Sequence, residues 1–183
     1  MSESELDAAV AAARRGEEWA VNELFRAIQP GLLRYLARQA PGSAEDLAAE
    51  TWLAAARLLP SFEGSGRDFR AVMFSIARRR LVDQFRGSAR RPRLVALFDE
   101  AGPVEQDPAD RTVAALDAQR AVDALVGTLP SDQAEVILLR VVADLSVDEV
   151  ARIMGRTPGS VRVLQHRALR RLAQQSEARG VTR

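Results

Sequence analysis

The 183-residue chain has no cysteine, no lysine and only one histidine, His166. Because it has no cysteine, it contains neither a disulfide framework nor a thiol nucleophile. A single histidine, with no nucleophile beside it and no spaced carboxylate cluster, provides neither a metal site nor a catalytic constellation. No stretch approaches the ~18 apolar residues of a membrane span, and the acidic start MSESELD is not typical of a signal peptide. We therefore expect a cytoplasmic protein that is not an enzyme and uses no cofactor or metal.

All 26 basic side chains are arginine, and they are segregated along the chain. Residues 70–93 contain eight arginines and one acid, residues 99–135 contain nine acids and two arginines, and the segment from Ser146 onward contains eight arginines and three acids. A basic–acidic–basic order indicates two surfaces for polyanions, joined by a segment that avoids them. On charge alone, solvated faces of ordinary helices are the better explanation, so motifs must decide.

Hydrophobic residues make up 47% of the chain, and they recur with a helical period and no β-rich alternating run. The pattern predicts an all-α protein. We expect helices over about 3–15 and 17–39, from Ala44 to LLPSF (58–62), over 68–86, from about Thr112 to GTLP (127–130) and over 131–143, and two more between 146 and 172. Prolines and a change to acidic residues mark a flexible acidic linker at 93–112. We expect two small helical domains, 1–92 and 113–178.

The segment SVDEVARIMGRTPGSVRVLQHRALRRL (146–172) has the signals of two helices joined by a tight turn. Ser146 and Glu149 have the spacing of a capping box. Gly155 ends the first helix, and Thr157-Pro158 cap and begin the second. The apolar stripes expected to be buried are Val147, Val150, Ala151 and Met154, then Val161, Leu164, Ala168 and Leu172. Two such helices with a basic outer face are typical of a helix-turn-helix.

The outer face of the second helix carries the candidate DNA contacts. Arg162 and His166 are placed for base edges, with Val163 for a thymine methyl group. The positions suited to phosphates are Arg167, Arg170 and Arg171. The alternative is an antiparallel helix pair with a solvated arginine face. Because capping residues, turn and basic face occur together, we favour DNA binding.

The helix predicted from Ala44 has an unusual outer face. Trp52 and Leu53 fall outside its inward stripe, and Asp46, Glu50 and Arg57 form a charged row beside Leu53. An exposed aromatic residue and a leucine rimmed by acids predict a protein-docking surface. For Trp52, packing against the N-terminal helices is an equally good explanation.

The helix at 68–86 has apolar residues on two faces, with Phe74, Leu81 and Phe85 on one of them, so we expect it to lie between neighbours. The arginines placed to follow a nucleic-acid backbone are Arg78, Arg79, Arg80, Arg86, Arg90 and Arg91. The glycine-containing loop SFEGSGRD (61–68) precedes it, and a loop beside a basic helix is a place for an extruded base. Phe62 and Phe69 are aromatic residues for stacking there or for the core.

A docking helix, a basic helix, an acidic linker and a helix-turn-helix, in this order, resemble the extracytoplasmic-function (ECF) sigma factors of bacterial RNA polymerase. Three stretches carry the resemblance: AEDLAAETWLAA, FRAVMFSIARRRLVDQFR and LPSDQAEVILLRVVADLSVDEVARIMGRTPGSVRVLQHRALRRL. The three in this order are far more specific than any one alone, and together the similarity spans nearly the whole chain.

The resemblance implies that the first domain is sigma region 2, which binds the clamp helices of the polymerase β′ subunit through the helix matching 45–58. The implied polymerase-binding residues are Asp46, Glu50, Trp52 and Leu53. Region 2 also opens the promoter −10 element and captures a flipped base with the loop matching 61–68. The implied −10 contacts are Phe62, Arg67, Arg79, Arg80, Asp83 and Arg86.

The second domain is implied to be region 4, which binds the promoter −35 element and lies on the polymerase β flap. The implied −35 contacts are Ser160, Arg162, Val163, His166, Arg167, Arg170 and Arg171. The acidic linker is similar to the family segment that passes through polymerase channels otherwise used by RNA. An anti-sigma protein is a further implied partner.

Two positions depart from the family pattern. Ala49 replaces a common glutamine, which weakens one polymerase contact, and Arg79 replaces a common DNA-contacting asparagine, so the −10 preference cannot be transferred. The implied function is that of an alternative sigma factor, which binds core polymerase and directs promoter-specific initiation. The rival hypothesis is a stand-alone helix-turn-helix regulator, which leaves the 44–62 surface and the linker without a role.

Overall fold

The computed structural model describes residues 1–89 and 126–180, so the linker predicted at 93–112 lies outside the described residues. The chain divides into two compact units. Across 1–89 and 126–180 every regular element is helical, which confirms the all-α prediction. The domain limits predicted at 92 and 113 fall outside the described segments and stay predictions.

Within residues 1–89 the first unit has four helices and two short 3₁₀ turns. The helices are α1 (Glu3–Arg14), α2 (Glu18–Gln39), α3 (Ala44–Leu58) and α4 (Gly66–Ala89). The 3₁₀ turns are Pro41–Ser43, before α3, and Leu59–Ser61, after it. Helix α4 packs against all three other helices, and α2 packs against both α1 and α3.

Local sequence signals set the ends of α1. The Ser2 hydroxyl accepts a hydrogen bond from the Glu5 backbone N–H at 3.3 Å, and the Ser2 backbone N–H donates to Glu5 Oε2 at 2.7 Å. This capping box satisfies two backbone groups at the helix start, and the hydrogen bond from the Ser2 backbone lowers the pKa of the Glu5 carboxyl. Gly16 has a φ of 83° and lies directly after the helix, which confirms the predicted break.

The core of the first unit forms around α4. Phe69, Met73 and Phe74 of this helix are almost fully buried, and the Phe74 ring meets the Tyr35 ring of α2 edge to face, with centroids 5.6 Å apart. The prediction that α4 lies between neighbours is thereby confirmed. The apolar face predicted to extend from Phe74 to Phe85 is shorter in the structure, because the Phe85 side chain is 51% exposed.

Within residues 131–180 the second unit has three helices and one π-helical turn, and the helix predicted to start near Thr112 lies almost entirely outside the described residues. The helices are α5 (Ser131–Ile137), α6 (Val147–Met154) and α7 (Pro158–Gly180), and the π turn is Leu138–Val142, directly after α5. Helix α7 packs against both α5 and α6. The buried apolar side chains from these elements include Val136, Leu139, Leu145, Val150, Met154, Val161, Leu164 and Ala168.

The turn between α6 and α7 has the geometry that the sequence predicts. Ser146 and Glu149 form a reciprocal capping box at the start of α6. Gly155 ends the helix in the left-handed region, with a φ of 63°, and the Arg156 N–H donates to the Ala151 carbonyl at 2.9 Å. This pair of features is a Schellman motif. Thr157 then caps α7 through its hydroxyl, which accepts from the Ser160 N–H at 3.2 Å.

Gly155→Ala is expected to destabilise the second unit by about 1 kcal/mol, because a Cβ is disfavoured in the left-handed region. No neighbouring atom lies within 4 Å of a Cβ at this position, so the cost comes from backbone conformation alone. Gly159→Ala, in the helical first turn of α7, is the matched control and is expected to stabilise by about 0.5 kcal/mol.

Both variants are measured by urea unfolding followed by far-UV circular dichroism. All nine aromatic residues lie at or before position 98, so tryptophan fluorescence follows the first unit only and should not change. Equal effects of the two alanines would contradict the assigned backbone conformations.

Candidate nucleic-acid interface

The outer face of α7 presents the residues predicted to contact DNA. Val161, Leu164 and Ala168 of the same helix are buried against the rest of the unit, which fixes how the helix is rotated. The seven predicted residues are all exposed: Ser160, Arg162, Val163, His166, Arg167, Arg170 and Arg171. No acid of the described residues pairs with any of these four arginines. The helix therefore presents four guanidinium groups without an acidic partner in 1–89 or 126–180, together with one imidazole, on its exposed side.

Ser160 differs from the other members of this set. Its N–H donates to the Thr157 hydroxyl, and the two hydroxyl oxygens lie 3.0 Å apart. The Ser160 side chain thus takes part in capping α7, and its hydroxyl retains hydrogen-bonding capacity toward a ligand.

Arg140 connects α7 to the elements before it. Its Nε donates to Gln165 Oε1 at 3.3 Å, and its Nη1 donates to the carbonyl oxygen of Leu145. Leu145 itself is fully buried and precedes α6. One guanidinium therefore links the π turn, the start of the helix-turn-helix and the outer helix. Sequence reasoning missed Arg140, although a lone cation within the apolar run VILLRVV was a visible signal.

The polymerase-binding residues predicted on α3 separate into two groups. Asp46, Glu50 and Leu53 are exposed and lie along one side of the helix, and Leu53 is 61% exposed. Trp52 is half-buried: its indole N–H donates to Gln29 Oε1 at 2.7 Å, and its ring lies 5.2 Å from the Phe25 ring. Of the two explanations for Trp52, the structure therefore supports packing against α2.

The basic half of α4 carries the predicted −10 residues. Arg79, Asp83 and Arg86 are exposed, and their spacing places them on one side of the helix. Arg80 is turned toward α3, where its Nη1 lies 3.4 Å from Glu50 Oε2. Arg80 and Glu50 line a shallow cleft of about 360 Å³ together with Ser43, Asp46, Leu47, Asp83 and Gln84. Arg90 and Arg91 lie outside the described residues.

Phe62 is packed within the first unit, and its assignment as a −10 contact stays a prediction. Its ring is only 8% exposed and packs edge to face on Phe69, with centroids 5.4 Å apart. A ring this deeply packed offers little area to a base, and in this structure Phe62 anchors the loop to α4. Arg67, in the first turn of α4, is half-buried. Glu63 and Gly64 form the exposed tip of the loop.

The described segments, 1–89 and 126–180, carry neither a cluster of metal ligands nor a membrane-spanning helix. No group of three or more His, Asp or Glu side chains is arranged there to hold a metal ion. None of the helices in these segments has the length and apolarity that crossing a membrane requires.

Comparison with known proteins connects both surfaces to one family. The family model described as Sigma-70 region 2 matches residues 24–91, and the one described as Sigma-70, region 4 matches residues 119–172. These ranges include the α3 and α4 surfaces and the helix-turn-helix, respectively.

Curated relatives match over most of the chain. The ECF RNA polymerase sigma factor SigD of Mycobacterium tuberculosis is 36% identical, over 98% of this chain and 88% of its own length. ECF RNA polymerase sigma factor ShbA of Streptomyces griseus is 35% identical, over 91% of this chain and 93% of its own. ECF RNA polymerase sigma factor BldN of Streptomyces coelicolor is 38% identical, over 88% of this chain and 62% of its own.

Two solved structures share the fold. CnrH, in complex with the cytosolic domain of CnrY, has a TM-score of 0.61 at 23% identity and covers 95% of this chain and 98% of its own. The sigma factor RpoE of Bartonella quintana, in complex with the anti-sigma factor NepR, has a TM-score of 0.63 at 22% identity and covers 85% and 96%. With both sigma regions matched, and with relatives above a third identical over nearly the full length, the chain belongs to the family of ECF RNA polymerase sigma factors.

Proposed function

We propose that this ECF sigma factor uses three surfaces for three ligands. The α3 row (Asp46, Glu50 and Leu53) binds core polymerase, the basic side of α4 with the 61–68 loop binds the −10 element, and α7 binds the −35 element. The observation that carries this division is the exposed face of α7, where four arginines have no acidic partner among the described residues. Unpaired cations on a helix-turn-helix outer helix are suited to DNA.

On α7, position along the helix separates base contacts from phosphate contacts. Arg162, Val163 and His166 lie toward the N-terminal half, which faces base edges in helix-turn-helix complexes. Arg167, Arg170 and Arg171 lie further along and are assigned to phosphates. Arginine is suited to bidentate hydrogen bonds with guanine in the major groove, so Arg162 is the residue from which we expect most of the sequence preference.

The first unit combines a polymerase contact with a −10 contact. On α3, exposed Leu53 provides an apolar anchor, and Asp46 and Glu50 provide charges for basic groups of the clamp helices. On α4, Arg79 and Arg86 are assigned to the DNA backbone, and Asp83, on the same side, is assigned to base recognition. We leave Phe62 and Trp52 out of the contact set because their rings are packed within the unit.

The proposed role is one of binding and not of catalysis. Strand opening at −10 would use binding energy, and polymerase would form the RNA. The protein would act in the cytoplasm, where bacterial polymerase and its promoters are found, and the 93–112 linker would follow an RNA channel. An anti-sigma protein is a proposed partner, since the similar sigma factor RpoE was solved with the anti-sigma factor NepR. A stand-alone regulator is less well supported, because it gives the α3 row no ligand.

The first test is transcription in vitro with core polymerase, this protein and fragmented genomic DNA, with mapping of RNA 5′ ends. We expect discrete starts that share −35 and −10 sequences and that disappear when the protein is omitted. Duplex binding without polymerase, combined with no new starts, would instead support a stand-alone regulator.

Two arginines of α7 should have separable effects on promoter binding. Arg162→Ala should relax preference at one or two −35 positions, with a loss of about 1–3 kcal/mol on the preferred sequence. Arg170→Ala should weaken binding to all −35 sequences by a similar factor and reduce the salt dependence by about one counterion. Holoenzyme binding to a library of −35 variants at two salt concentrations separates them. A uniform loss with both variants would contradict the base-edge assignment.

Substitution of the α3 row should abolish polymerase binding without unfolding the unit. Asp46→Arg combined with Leu53→Asp reverses a charge and removes the apolar anchor, and both side chains are exposed, so folding should be preserved. Gel filtration with core polymerase measures the loss, and circular dichroism checks helicity. Glu45→Arg, which reverses the charge of another exposed acid in the first turn of α3 but lies off the row, is the control. Undiminished co-elution of the double variant would place the docking surface elsewhere.

A further inference from the structure

Helix α1 touches the one loop that the proposed function assigns to base capture. Asp7 follows Leu6 in α1, and its Oδ1 accepts a hydrogen bond at 2.5 Å from the backbone N–H of Gly66. Gly66 is the first residue of α4 and directly follows the 61–65 loop. Its N–H is one of the groups that a helix start leaves without an internal partner. A side chain 59 positions away in sequence therefore satisfies it.

Besides the hydrogen bond, the contact between α1 and Gly66 leaves no room for a side chain at position 66. A Cβ built on Gly66 would lie 2.7 Å from the Leu6 carbonyl carbon and 2.8 Å from Leu6 Cβ, and it would also overlap Leu6 Cγ. Leu6 is itself buried, at 3% exposure. Because Leu6 cannot move away without leaving the core, only glycine permits this approach of the loop to α1.

The loop also has anchors that do not involve α1. The Phe62 N–H donates to the Leu59 carbonyl at 3.1 Å, and the Phe62 ring packs on Phe69. Ser65 and Asp68 exchange backbone-to-side-chain hydrogen bonds of 3.0 and 3.1 Å, which cap α4. Between these anchors only the tip at Glu63 and Gly64 is fully exposed.

We infer that α1 is the positioning element of the −10 loop, and that Asp7 and Gly66 are the positioning residues through which it acts. The inference rests on the proposed function, in which the 61–68 loop captures a base of the opened −10 strand. Asp7 does not contact the DNA in this account. It holds the loop in its bound conformation before the strand arrives, which reduces the ordering cost of binding.

The test uses holoenzyme assembled from core polymerase and the full chain, with two probes taken from the mapped promoters. One probe is a single-stranded oligonucleotide carrying the −10 sequence, and the other is a duplex carrying the −35 sequence alone. Asp7→Ala removes the acceptor, and Gly66→Ala drives the loop away from Leu6. Both should weaken binding of the −10 strand by about tenfold, the low end of what the loss of one hydrogen bond to a charged acceptor costs. Neither should change −35 duplex binding or assembly with core.

Two further variants separate positioning from general stability. Asp7→Asn replaces the carboxylate with an amide, whose oxygen can still accept the hydrogen bond from the Gly66 N–H. This variant should therefore keep most of the −10 strand affinity that Asp7→Ala loses. Ile28→Val removes one methyl group from a buried residue of α2, outside both α1 and the loop segment, and should lower thermal stability without changing −10 strand binding.

The outcomes distinguish this inference from the proposed function beneath it. Unchanged −10 strand binding by Asp7→Ala and Gly66→Ala would overturn the inference alone. A decrease with Ile28→Val as large as that with Asp7→Ala would overturn it as well, because stability would then account for both. If wild-type holoenzyme itself does not bind the −10 strand, the proposed role of the loop fails first.

Discussion

The two-sided burial of α4 is the constraint on which the first unit depends. This helix contacts every other helix of the unit, and its buried residues Phe69, Met73 and Phe74 leave it little rotational freedom. Because its rotation is set by the core, the exposed side that carries Arg79, Asp83 and Arg86 is set as well. The same burial brings the start of α4 against α1 and its C-terminal half beside α3. The two surfaces of the unit therefore keep a fixed relation to each other.

In the second unit, the short turn at Gly155 and the Arg140 guanidinium help to fix the orientation of α7. The left-handed Gly155 determines how α7 leaves α6, and the buried stripe of α7 determines which side is exposed. Arg140 adds a link from the π turn to Gln165 in the middle of α7. The exposed arginines of the outer helix consequently project from an element that is held by packing, by a cap and by a hydrogen bond.

The features that could be predicted from the sequence are those that depend on neighbouring residues. Helix limits near Gly16 and Gly155, the capping box at Ser146 and the buried stripe of α7 follow from local chemistry and periodicity, and all are present. Periodicity could not determine whether the rings of Phe62 and Trp52 are exposed or packed within the unit. A loop has no repeating pattern, and an aromatic residue beside a helix stripe can face solvent or a neighbouring helix. Arg140 and Asp7 act through contacts with distant backbone or amide groups, which appear only when the helices are packed.

The ion pair between Arg80 and Glu50 joins two surfaces for which different ligands are proposed. With an Nη1–Oε2 distance of 3.4 Å and both side chains about half exposed, such a pair is worth at most about 1 kcal/mol. A basic group that binds Glu50 competes with Arg80 and makes its guanidinium more available, and an anion that binds Arg80 likewise releases Glu50. Thermodynamic linkage requires this influence to be equal in both directions. In the free protein the charge of Arg80 is therefore partly neutralised by Glu50. Binding of a partner to one of these residues lowers the free-energy cost of binding a partner to the other.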